Sequence, residues 1–128
     1  MLNNATGFDR VVLVCGYTDL RCGIDGLTSA LKTVHDISPF QEKVLFLFCG
    51  RSTRKIKGIV FEGDGFLLLY KRLETGRFCW PRTTNEAMNI TQEQFEWLMK
   101  GLTILPTIGK IQPKQLFGEL FQKNLCAK

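Results

Sequence analysis

The sequence predicts an α+β fold: an antiparallel meander sheet of about four to five strands, with one N-terminal helix and two C-terminal helices. Three observations carry that reading. Short apolar runs crowd together between Lys43 and Arg82, at Val44–Cys49, Ile56–Phe61, Phe66–Tyr70 and Phe78–Trp80. Each is bounded by Gly or by charge and is too short for a lone helix. Glu62-Gly63-Asp64-Gly65 separates two of these runs, and an Asp-Gly pair tolerates the positive φ of a tight hairpin connection. Helix-period stripes lie outside the block, and strands grouped together rather than alternating with helices indicate α+β.

In chain order, Val11 to Cys15 is an apolar, β-branched run ending at Gly16, which reads as a buried strand. Thr18 or Asp19 is placed to cap a first helical turn. Ile24, Leu27, Leu31 and Val34 then recur on one face of a helix reaching about His35, and Ser38-Pro39 ends it. The strand block follows. With Asp64-Gly65 as a two-residue turn, Phe61 faces Leu68, Ile59 faces Tyr70 and Lys57 faces Arg72. Arg82 to Asn89 is polar and reads as a loop. Thr91-Gln92-Glu93-Gln94 fits a capping box, followed by the stripe Phe95, Leu98, Met99 and Leu102. Residues 1–105 form one α+β domain in this reading. Residues 106–128 are a linker and an amphipathic helix opening at Pro113, whose Leu116, Phe117, Leu120 and Phe121 pack on the domain, a partner or a second copy of the chain.

Charge is concentrated in the strand block. From Lys43 to Arg82 there are nine basic and three acidic side chains, a net of +6, on a chain whose formal net charge is +5. Lys57 opposite Arg72 is unfavourable unless an anion sits between them. Basic side chains on a wet sheet face also keep edges from aggregating, so the charge admits an anionic partner without requiring one. The pair Asp19 and Arg21, with Asp25, flanks a helix start, where an Arg–Asp pair fixes a loop or meets a partner.

Composition excludes several classes. At 45% hydrophobic and 23% charged residues the chain is globular rather than disordered. No apolar run approaches the ~18 residues of a membrane span, and the polar start MLNNATGFDR lacks the apolar region of a signal peptide. Five cysteines without a CxxC pair indicate a reduced, cytoplasmic protein without disulfides. The single histidine, His35, makes no zinc site by itself. There is no GxSxG, Ser-His-Asp set or Walker loop, and the carboxylates are scattered. The expectation is a protein that is not an enzyme and needs no cofactor.

Four blocks then point to a family. CGYTDLRCGIDGL (15–27), SPFQEKVLFLFCGR (38–51), KIKGIVFEGDGFLLLYKRLETGRFCWP (55–81) and ITQEQFEWLMKGL (90–102) resemble the second-reading-frame protein of insertion sequence 66 elements, the TnpB of those elements. The chain departs from the family pattern at Ser52-Thr53-Arg54, at Val60-Phe61, where tryptophans are common, and at Leu102–Leu105. The resemblance implies a small accessory protein encoded beside a separate DDE-type transposase that performs cleavage and strand transfer. Together with the charge it sets the functional expectation. The chain would be a non-catalytic transposition accessory protein, partnered by the transposase of the same element. It would contact DNA phosphates without sequence preference through Arg51, Arg54, Lys55, Lys57, Lys71, Arg72 and Arg77. The rivals are an interaction module that binds the transposase and never touches DNA, and a metal-dependent nuclease.

Overall fold

The computed structural model describes Leu2 and residues 7–104. Its elements are β1 (Arg10–Val14), α1 (Ile24–Thr33), β2 (Val44–Cys49), β3 (Lys55–Phe61), β4 (Phe66–Arg72), β5 (Ala87–Ile90) and α2 (Gln92–Met99). The five strands form one sheet in the order β4-β3-β2-β1-β5. The α+β class holds and most pairings are antiparallel, but the sheet is mixed rather than a meander. β1 and β2 are parallel, with α1 as the crossover between them. The physical reason lies in their composition. Val44–Cys49 is buried at all six positions and Val11–Val14 at all four, as strands covered on both faces must be.

The alternation of each strand divides the core in two. On one face, Leu27 and Leu31 of α1 pack with Val12, Val14, Phe46, Phe48 and Ile59. On the other, Phe95 and Leu98 of α2 pack with Val11, Leu13, Leu45, Leu47, Ile56 and Val60, joined by Phe78 and Trp80. Phe78–Trp80, expected as a fourth strand of the block, is buried but irregular. Trp80 Nε1 donates to the Val14 carbonyl at 3.0 Å, so this segment is a plug under the sheet. The fifth strand comes instead from the polar stretch read as a loop. Ala87–Ile90 pairs antiparallel with β1, Val11 opposite Ile90. Only Met88 and Ile90 pack toward the α2 side, so four residues carried too little alternation to stand out.

The β3–β4 register differs by two residues from expectation. Phe61 lies opposite Phe66, Ile59 opposite Leu68, Lys57 opposite Tyr70 and Lys55 opposite Arg72. The turn residues are Gly63-Asp64, closed by Glu62 N–H donating to the Gly65 carbonyl at 2.8 Å. Gly63 takes φ +93° and Asp64 is not among the positive-φ residues, which suits a two-residue turn with glycine first rather than second. A two-residue shift preserves the faces, so the basic side chains keep the sides of the sheet that alternation gave them.

The helix ends also differ. α1 opens after Gly23 with no side-chain cap, and neither Thr18 nor Asp19 caps it. Val34 is the C-cap and is 70% exposed rather than part of the stripe. The capping box of α2 is present as expected: Thr91 Oγ1 accepts from Gln94 N–H at 3.0 Å, and Gln94 Oε1 accepts from Thr91 N–H at 2.8 Å. Two helices are found among the described residues against three expected. The third, expected from Pro113 to Lys128, lies outside the described residues. Among the described residues, Cys15, Cys22 and Cys49 are free thiols.

Candidate functional site

Because β1 and β2 run parallel, they finish at the same end of the sheet, and the loops that leave them meet there. Thr18 N–H donates to the Cys49 carbonyl at 2.8 Å. Gly50 sits so close to Leu20 that a Cβ would lie 3.1 Å from the Leu20 Cγ. Arg82 bridges the two loops from behind, its guanidinium donating at 2.5 Å to both the Gly16 and the Gly50 carbonyls. Lys57 reaches from β3 to the Leu20 and Cys22 carbonyls at 2.5 and 3.3 Å. Arg82 thus ties the two loops of the parallel pair to each other, and Lys57 ties the loop after β1 to β3, both through carbonyl oxygens.

The loops and the adjoining ends of β3 and β4 enclose an open cleft of about 670 Å³. Its lining includes Tyr17, Asp19, Arg21, Arg51, Lys55, Lys57 and Tyr70. Four cations face one carboxylate there. Arg21 grips Asp19 in a fork, with its Nε and a terminal nitrogen donating to the carboxylate at 3.0 and 2.8 Å. Those hydrogen bonds hold the Asp19 carboxyl down at about 2, so it stays ionised and offsets Arg21. Arg51 stacks its guanidinium 5.0 Å from the centre of the Tyr17 ring, and the Lys57 ammonium lies 5.7 Å from that of Tyr70. A cation over a ring face favours each of these ring positions by about 0.5–1 kcal/mol at an exposed site.

The register decides which basic residues share this side. Lys55, Lys57, Tyr70 and Arg72 alternate onto the α1 face of the sheet together with Ile59. Arg72 lies opposite Lys55 and is ion-paired with Glu74 at 2.8 Å. A smaller depression of about 460 Å³, lined by Ser52, Arg54, Lys55, Arg72 and Glu74, adjoins the cleft through Ser52 and Lys55. The Arg54 guanidinium is engaged by the Leu73 and Glu74 carbonyls, 2.9–3.3 Å away. Lys71 lies opposite Ile56 and so belongs to the α2 face. Arg77 is exposed and lines neither hollow. The seven basic residues therefore do not form one surface: Arg51, Lys55, Lys57 and Arg72 come together, Arg54 borders them as a tie, and Lys71 and Arg77 stand apart. Of the loop residues, Asp19 and Arg21 line the cleft, whereas Asp25 sits in the first turn of α1.

Sequence reasoning missed Tyr17, Tyr70 and Arg82. The chain has two tyrosines, and both line the cleft. Tyr17, just past the end of a buried strand and next to Gly16, carried a usable signal. Tyr70 was absorbed into an apolar run, and Arg82 has no local pattern to mark it. Among the described residues no group of three His, Cys, Asp or Glu side chains is placed to hold a metal ion. No helix among them is long and apolar enough to cross a membrane.

Comparison with known proteins bears on the whole of this architecture. Uncharacterized protein y4hO of Sinorhizobium fredii (strain NBRC 101917 / NGR234) is 38% identical over 93 residues, covering 73% of this chain and 80% of its own length. Uncharacterized protein y4jC of the same organism is 27% identical over 93 residues, 73% of this chain and 79% of its own. No solved structure matches the chain at comparable significance. The model of the IS66 Orf2 like protein family matches residues 9–107, from the start of β1 past the end of α2, and the chain belongs to that family.

Proposed function

We propose that this protein is a non-catalytic accessory factor for transposition of an IS66-type element, that it acts with the element's separate transposase, and that it contacts DNA phosphates at the cleft. Family membership supports the association with transposition. The observation that carries the DNA contact is the convergence of Arg51, Lys55 and Lys57 on one open cleft, with Arg72 at its margin. Of the seven basic residues expected from sequence, Arg51, Lys55 and Arg72 are assigned direct phosphate contacts. Lys57 and Arg54, spent on loop carbonyls, contribute charge and frame. Arg21 adds little while the fork to Asp19 neutralises it, whereas Arg72 holds Glu74 by a single exposed bond that a phosphate can replace. Lys71 and Arg77 are left outside the contact.

Salt dependence tests this. Each phosphate neutralised adds roughly −0.9 to the slope of log affinity against log salt. Arg51→Gln, Lys55→Gln and Arg72→Gln together should lessen the slope by about 2 to 3, while Lys71→Gln with Arg77→Gln should change it by less than about 1. Equal effects of the two sets would overturn the assignment. One observation favours the rival interaction module. α1 leaves β4 uncovered on its own side of the sheet, where Phe40, Leu68 and Tyr70 are 53%, 36% and 57% exposed. Binding to DNA that appears only with transposase present would select that reading.

A further inference from the structure

We infer that the cleft receives an unpaired nucleotide, so that the protein binds single-stranded DNA in preference to duplex. This rests on the DNA contact proposed above and specifies its substrate. Both tyrosines of the chain line the same cleft, one from the loop after β1 and one from β4. They are 50% and 57% exposed. Each has a cation over one face, which leaves the other face to offer. Phosphate donors stand on the same walls: Arg51 beside Tyr17, and Lys55 one β-repeat from Lys57. Aromatic faces with interleaved cations are the chemistry of base stacking plus backbone neutralisation.

Shape separates single strand from duplex. A double helix presents convex phosphate ridges and keeps its base faces stacked on each other. A base reaches a ring inside a concave site only after leaving its own stack. A cleft of about 670 Å³ falls within the roughly 300–1,000 Å³ range of small-ligand pockets, which suits one or two nucleotides and does not suit a duplex groove or ridge. The site is preorganised for this: Lys57 holds the carbonyl of Leu20 and Arg82 that of Gly50, both in the cleft's walls.

The test compares a labelled 12-nucleotide single strand with a duplex of the same sequence by fluorescence anisotropy on the full chain at matched salt. Single strand should bind at least about fivefold tighter. Tyr17→Leu and Tyr70→Leu should each weaken it about 5- to 50-fold, in line with the loss of one base–aromatic stack, and leave duplex affinity and salt slope unchanged. Nitration of tyrosine by tetranitromethane, read by mass spectrometry, should be suppressed by the single strand and not by the duplex. Melting curves check that the variants fold, and the nitration arm uses the unaltered chain. Equal affinity for single strand and duplex, or tyrosine variants that bind single strand as the parent does, overturns this inference while leaving the phosphate contact standing. Absence of binding to either overturns both.

Discussion

Arg82 joins the two halves of the cleft, and its removal should be costly out of proportion to its exposed position. Arg82→Met keeps the stem and deletes both charged donors, to the Gly16 and Gly50 carbonyls. A hydrogen bond from a charged donor is worth about 1.5–3 kcal/mol net. The side chain is partly solvated, so water can replace some of what is lost, and the low end applies to each bond. Two bonds at that end give an expected loss of about 3 kcal/mol. At about 4 °C per kcal/mol for a chain of this length, that is a fall in Tm of roughly 12 °C by circular dichroism. Arg82→Lys keeps one donor that can serve one carbonyl and should recover about half of the loss. An Arg82→Met protein melting within about 2 °C of the parent would refute the view that this residue ties the loops.

Other expectations follow from single contacts. Trp80→Phe leaves a gap in the core and the Val14 carbonyl, inside the sheet, without its indole donor; urea unfolding should show a loss of at least about 1–3 kcal/mol. Thr91→Ala removes the cap of α2 and should cost about 1 kcal/mol by the same measurement. Burial pushes the Cys15 and Cys49 thiols up to about 11. The folded chain therefore holds protons that the unfolded chain releases above about 9. Their contribution is fully present below that pH and is lost as pH rises toward 11, by at most about 1.4 kcal/mol per pH unit for each thiol. Denaturation at pH 8 and 10.5 should show the decline, and Cys49→Ala should reduce it by about half, leaving the part due to Cys15. An unchanged decline in that variant would place its origin elsewhere.

How much of this was legible depended on whether the cause was local. The capping box of α2 was readable because its parts lie within four residues. Val44–Cys49, Ile56–Phe61 and Phe66–Tyr70 were readable as strands because apolar runs and glycine punctuation are local too. The parallel pairing of β1 with β2 was not, although both strands are apolar on both faces, because one helix between strands did not outweigh the grouped strands after it. β5 was invisible for a different reason: four residues pair with β1 across nearly the whole domain, and nothing near them says so. In the site, charge concentration named Arg51, Lys55, Lys57 and Arg72. It could not show that Arg54 and Lys57 are engaged by carbonyls, nor that Lys71 faces the other way, since both depend on register and loop path.

The place of β1 in the sheet has a consequence for the order in which the chain is made. Of the described strands it is the first to leave the ribosome, and its second neighbour, β5, is the last. Until residue 90 has emerged, the row Val11–Val14 has β2 on one side and an open edge on the other, with apolar side chains on both faces. An unpaired apolar edge is where a nascent or truncated chain pairs with its neighbours instead of itself. A messenger cut short before residue 87 would therefore yield an aggregation-prone product rather than a smaller working protein.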